Sequence, residues 1–415
     1  MNCPKLVTSL FTAVLILGAP AAHGGARFTL FNQDDAGAGF NSDASPDRLS
    51  RLAGNPGETL GEQRLWVFRQ AAQYWGRRLD SNVPIEVGIQ MSDLNCTSTS
   101  ATLGFAGPNL VFRDWSAGTS GVQPPRSNTW YVSALADRLA DRDLDANDPD
   151  GTDANDITAT FNAAIDDPDC LQDVKWYYGL DNAPPRRISF FDTVLHELGH
   201  GLGVLTFVDL QTGEKPTFVD GRPRDDAYMA FLEDTSKGER WPALDAQGRA
   251  ESITDTGDTT WVGSSVRQAA DSLSNGTTGD KVQVYAPSPI EPGSSISHWD
   301  TAVTTDRGND ELMEPFSTPN QAVRVTDELL ADIGWNEFEG DCGWPDERTI
   351  SGVRFTQSGV QRVACLLLRT QDDVTIEDNA DVTFRSTDGA NLGPGFSVEK
   401  GASFEVEIDP LLTLR

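Results

Sequence analysis

Two histidines and a glutamate share one short run, Thr193-Val-Leu-His196-Glu197-Leu-Gly-His200-Gly-Leu-Gly203. Residues four apart on a helix differ by about 40° around its axis, so both rings face one way and could share one ion. Glu197 sits about 100° from His196, beside such an ion rather than bound to it. A carboxylate there could take a proton from water activated by the ion. The chain has only 4 histidines, and half of them lie in this one turn. Gly203 can end the helix in a left-handed conformation and turn the chain back under the ion.

A catalytic zinc needs a third protein ligand and an open position. Three residues beyond Gly203 stands Thr206, a poor zinc ligand, and His23 falls in a leader-like N-terminal stretch. His298 is the remaining imidazole. Asp220, Asp225, Asp226 and Glu233 are alternative third ligands, in an acidic stretch where a solvated face is the simpler explanation. His298 lies in Ser294-Ser-Ile-Ser-His298-Trp-Asp300, and Glu311-Leu-Met313-Glu-Pro315 follows.

These segments resemble leishmanolysin-type metzincins. In that family an insertion of domain size separates the glycine from the third histidine, and a Ser-His-Trp segment leads to a Glu-Leu-Met turn. The segment Thr326–Trp335 is similar to the family's closing helix, with Thr326 as its N-cap and Gly334 as its stop. The resemblance covers roughly residues 188–336. It implies a zinc endopeptidase with zinc on His196, His200 and His298, Glu197 as general base and Met313 as a hydrophobic floor. Its substrate would be a protein or peptide. The gap from Gly203 to His298 is longer than the family's usual insertion, and no cysteine-bearing pro-segment is recognisable. The rival of a different class is a secreted or surface binding protein built on an inactive zincin scaffold. Glu197 favours the enzyme, because a structural ion has no use for an adjacent base.

These groups must be positioned by the elements around them. Apolar residues from Gly61 to about Leu79 recur at helical spacing, and Val83–Met91 alternates as a half-buried strand does. Trp130 to about Leu139 reads as a second helix. Ile157–Phe161 reads as a strand, and its place before the histidine helix makes it the candidate edge for pairing with extended substrate. The succession indicates an α+β fold, a zincin-like or metzincin-like catalytic domain with a long insertion at about 207–290. That domain is expected over residues 26–338. From Arg348 onward, short β-type runs alternate with turns: Val353–Phe355, Val363–Leu368, Val374–Ile376, Val382–Phe384, Phe396–Val398 and Phe404–Ile408. They predict a small all-β module over 345–415, one or two solenoid coils.

A second constellation runs from Asp141 to Asp156. Asp143, Asp145, Asp148, Asp150 and Asp153 offer hard oxygens at alternating spacing, as calcium loops do, and equally as a solvated acidic turn does. Cofactors read from the sequence are thus zinc and, if this loop holds an ion rather than being a solvated turn, calcium.

Residues 1–25 read as a signal peptide: Lys5, an apolar run from Leu6 to Leu17, then Ala19, Ala21 and Ala22. The expectation is a secreted, extracellular protein with no stable membrane insertion. Without Cys3, four cysteines remain, and Cys96–Cys170 and Cys342–Cys365 are the favoured disulfides. Over 415 residues the formal charge is −31, which argues against nucleic acid as a partner. It eases encounter with basic peptides without setting specificity.

Overall fold

The computed structural model describes residues 25–116, 123–146, 155–172, 174–319, 321–335, 347–356, 360–363, 367–386, 389–408 and 412–414. The expected signal peptide and the Cys342–Cys365 pair lie outside the described residues.

The larger part starts with strand β1 (Phe28–Asn32), helix α1 (Leu60–Gly76) and strand β2 (Ile85–Ser92). Helix α1 begins at Thr59, whose hydroxyl accepts the Glu62 amide while Glu62 reaches back to the cap. This is a capping box. Its inward face, Val67, Phe68, Ala71, Ala72 and Trp75, is buried completely. Strand β3 (Gly104–Pro108), helix α2 (Ser133–Ala140) and strand β4 (Ile157–Asn162) follow. The sheet order is Leu412–Leu414, β1, β2, β4, β3. β1, β2 and β4 are parallel, and β3 runs antiparallel against β4, with Gly104 opposite Phe161 and Pro108 opposite Ile157.

Two expectations are corrected here. Ile157–Phe161 is a strand, but an interior one flanked by β2 and β3, so the edge on its side of the sheet is β3, the other edge being Leu412–Leu414. The Trp130–Leu139 helix is divided: Thr129–Val132 is a strand, and only Ser133–Ala140 is helical. Trp130, Tyr131 and Val132 have β-type side chains, and pairing with Val111–Phe112 and Asp225–Asp226 overrides the helical spacing.

Helix α3 (Phe190–Gly201) carries the His-Glu-x-x-His run and packs on the sheet and on α1, where Trp75 Nε1 donates to Leu195 O at 3.1 Å. An aromatic nest of Phe40, Phe68, Phe161, Trp176, Tyr178 and Phe190 fixes its N-terminal end. The segment between Gly203 and His298 contains its own five-stranded sheet, including Leu232–Asp234, Thr259–Trp261 and Lys281–Gln283. Its Trp241, Trp261 and Val282 join the same hydrophobic core as Phe28 and Phe161, so the insertion is part of one body. Helix α4 (Arg324–Ile333) closes this body. Thr326 is not its cap; Val323 is, and Gly334 (φ 123°) ends it.

From Glu347 the chain forms three sheets of three parallel strands each. Val360, Val382 and Phe404, 22 residues apart, share one register position. The module is a coil of three rungs, one more than the upper sequence estimate. The expected Val363–Leu368 strand is divided between Val360–Val363 and Leu367–Gln371. Ile350, Phe355, Leu368, Val374, Ile376, Val382 and Phe384 fill a core separate from the first. The whole is a mixed α+β protein, and among the described residues no helix is long and apolar enough to cross a membrane.

Candidate metal centre

Three glycines explain how α3 can lie where it does. A Cβ on Gly199 would sit 2.8 Å from Met313 Sδ, and one on Gly201 would sit 2.5 Å from Ile157 Cγ2. Side chains at these positions would push the helix off β4 and off the turn beneath it. Gly203 has φ 118°, a conformation that disfavours any side chain, and its amide still reaches His200 O. The chain therefore leaves the helix where the sequence placed the stop. Trp335 Nε1 donates to Leu202 O at 2.8 Å and satisfies one carbonyl left open at the helix end.

His298 arrives on a segment pinned from both sides. Ile296 N and Tyr285 N bond to Tyr285 O and His298 O, and Trp299 N bonds to Met313 O at 2.8 Å. Tyr228 OH holds Ile296 O. The result brings His196, His200 and His298 together, with one ring nitrogen of each within 4.8 Å of the others.

Each Nδ1 faces a backbone carbonyl: His196 to Leu312 O (2.7 Å), His200 to Val204 O (2.8 Å) and His298 to Ser294 O (2.7 Å). A carbonyl only accepts, so each Nδ1 carries the proton and each Nε2 presents a lone pair. Burial holds all three rings below the usual imidazole range, His196 at about 3, so none is readily an imidazolium. Yet His196 Nε2 and His298 Nε2 lie 3.1 Å apart. Two lone pairs at that distance repel unless a cation lies between them. Nitrogens ~2.0–2.1 Å from one tetrahedral zinc would be about 3.3 Å apart, so the donor set fits zinc in type and spacing.

Glu197 is nearly buried and accepts the amide of Ala106 on the edge strand β3. Burial pushes its carboxyl up to about 8; a neighbouring cation would draw it back down. The Glu197 carboxylate and the edge strand are thus one unit, a link the sequence did not disclose because a backbone amide has no residue signature.

Met313 is wholly buried and packs against Gly199, between the two helical histidines. Its turn is held by Glu314 N to Glu311 O at 3.1 Å. The Glu311 carboxylate accepts Arg324 N (3.1 Å) and Val325 N (3.2 Å), supplying the cap that Val323 cannot give α4. Burial pushes Glu311 up to about 8.

The rival ligands all have other partners. Asp220 pairs with Arg224, Asp225 with Lys215 and Glu233 with Lys281. Asp226, 1% exposed, accepts Thr206 Oγ1, Phe207 N and Met229 N. That bond also accounts for Thr206, which the sequence had set aside as a ligand. Among the calcium candidates, Asp143 and Asp145 approach each other and are joined by Asp137, which the sequence did not single out. Asp148, Asp150 and Asp153 lie outside the described residues. Cys96 and Cys170 form the expected disulfide.

A cleft runs past the three rings between β3 and the turn that follows Met313. Phe105 and Phe316, each 54% exposed, and Leu180, 41% exposed, stand on its rim. They are three of the nine large apolar side chains that the described residues leave exposed. No protein family, curated protein or solved structure matches the chain.

Proposed function

We propose that this chain is a secreted zinc endopeptidase of the leishmanolysin-like metzincin kind. The observation that carries the proposal is the set of three buried imidazoles, each fixed through Nδ1 by a carbonyl, with Glu197 beside them in an open cleft. His196, His200 and His298 would hold the zinc. When bound, zinc supplies Lewis acidity toward a carbonyl oxygen and makes water a nucleophile near neutral pH.

The chain's own residues do the rest. Glu197 receives the proton from the attacking water and delivers it to the leaving amine. The Ala106 amide orients that carboxylate. The outer edge of β3 offers backbone groups to an extended peptide, which would add as a further strand. Phe105, Leu180 and Phe316 favour peptides with apolar side chains beside the scissile bond. Secretion is supported by the leader-like composition of residues 1–25 and by the Cys96–Cys170 disulfide. A scaffold that merely stored an ion would not need a buried carboxylate aligned by an edge strand, which weighs against the binding-protein reading.

The test compares zinc content and hydrolysis of an unfolded protein in four forms. Glu197→Gln should keep zinc and lose hydrolysis by about 10²–10⁴-fold. His298→Ala should lose both, and Thr206→Ala should keep both. Parent-like cleavage by Glu197→Gln, or a parent that holds no zinc, would overturn the proposal.

A further inference from the structure

A second group of oxygen donors lies away from the histidines, at the C-terminal end of α2. Asp141 there adopts a left-handed conformation (φ 52°) and reverses the chain. The reversal brings residues 143–145 back onto the helix, where Asp137 accepts Leu144 N at 3.0 Å. Asp143 accepts the amides of Asp145 and Ala146 at 3.0 and 2.9 Å, which shapes the loop. One carboxylate oxygen from each of Asp137, Asp143 and Asp145 then lies within 4.8 Å of the others.

Close carboxylates alone would be an acidic turn. Here, however, Asp137 is 3% exposed and Asp145 is 9% exposed, and Asp145 Oδ2 is buried with no hydrogen-bond partner. The carboxyl of Asp145 that carries this oxygen lies against the carboxyl of Asp143. The neighbouring charges that act on Asp137 are Asp156, Asp143 and Asp145, all of one sign. The two arginines of this stretch are turned elsewhere: Arg138 to Asp80 and to Gly334 O, Arg142 to Ser116 O. Burial and repulsion raise Asp137 and Asp145 well above the ordinary carboxylate range. A buried carboxylate oxygen with neither donor nor counter-charge is costly, and a cation removes that cost.

We propose that Asp137, Asp143 and Asp145 form a structural cation site suited to calcium. An all-oxygen donor set selects a hard ion over zinc, and the exposed side of Asp143 leaves room for the waters that complete a calcium shell. The site ties the end of α2 to the loop next to Asp156. Asp156 accepts Glu86 N at 2.9 Å and directly precedes β4, whose Ile157 packs against Gly201 of the histidine helix. Calcium would thereby brace the strand on which that helix rests. This inference stands apart from the zinc reading, since the two sites share no residue.

The experiment uses the zinc-loaded full chain in calcium-stripped buffer, with calcium or magnesium alone as the probe. At about 1 mM calcium, the affinity range of extracellular modules, the melting temperature should rise by roughly 1–2 °C, and magnesium should do little. Asp145→Ala and Asp143→Ala should each remove the calcium-dependent rise while zinc content stays at the parent's level. Asp143 is exposed, so Asp143→Ala leaves the packed interior intact and should fold as the parent does. No rise in the parent, an equal rise with magnesium, or a rise retained in both variants would overturn the proposal.

Discussion

Replacing Gly199 by alanine tests whether the turn at Met313 and the histidine helix are locked together. In an exposed helix interior this substitution stabilises by ~0.5–1 kcal/mol, because alanine has less backbone freedom to lose. At Gly199 the new Cβ would lie 2.8 Å from Met313 Sδ and 3.4 Å from its Cε. Met313 is fully buried, and its backbone is held through Trp299 N and the Glu311–Glu314 turn. It can rotate, but only by displacing the side chains that bury it. Overpacking of this kind costs ~1–3 kcal/mol, which outweighs the gain in helix propensity and leaves a net loss of about 1–2 kcal/mol. The same displacement would move Leu312 O, the partner of His196 Nδ1, so zinc affinity should fall about tenfold. Urea unfolding of metal-free protein isolates the packing effect, and competition with a chromogenic chelator reads the zinc effect. In a Met313→Ala background the clash is gone, and Gly199→Ala should become neutral or stabilising, a coupling of at least ~1 kcal/mol. A Gly199→Ala variant as stable as the parent, with unchanged zinc affinity and no coupling to Met313, would refute the argument.

Glu311 supplies a pH dependence. Its carboxyl is raised to about 8 by burial, so between the ordinary carboxylate pKa and about 8 the folded state binds the proton more tightly than the unfolded chain. Stability from this group is fully present at low pH and declines as pH rises through that window; Glu311→Gln should flatten that part of the slope in urea titrations from pH 5 to about 8. The Cys96–Cys170 bond spans 74 residues, and replacing both cysteines by alanine should cost about 2–4 kcal/mol in equilibrium unfolding. Phe316→Ser should raise KM for peptides with apolar residues flanking the cleavage point by roughly 5–30-fold, with kcat little changed, because a rim contact is made equally in ground and transition states. An equal loss for wholly polar peptides would count against the apolar rim.

Helical spacing alone marked His196, Glu197 and His200, since the geometry of a helix is local and four residues suffice to state it. Gly203 was legible for the same reason: a left-handed helix stop is a property of one residue. Helix α1 and β2 were legible because their apolar periodicity agrees with what the core demands. The edge strand was not. Which strand stands at the rim of a sheet depends on which segments pair, and Gly104–Pro108 has neither the alternation nor the β-branched residues that signal a strand. Asp137 was hidden inside a helical run, and only the left-handed turn at Asp141 brings it to Asp143 and Asp145.

The sequence by itself thus determined the two-histidine turn and its glutamate, the helix stop and the change to short β-runs after Trp335. Each of these rests on interactions between residues a few positions apart. The tertiary structure decided that His298 stands 3.1 Å from His196 across 102 residues of chain, that three unrelated carbonyls orient the three rings, and that Ala106 aligns Glu197. Those contacts join distant segments through backbone atoms, which every residue carries alike, and only the packing of the core brings them into register.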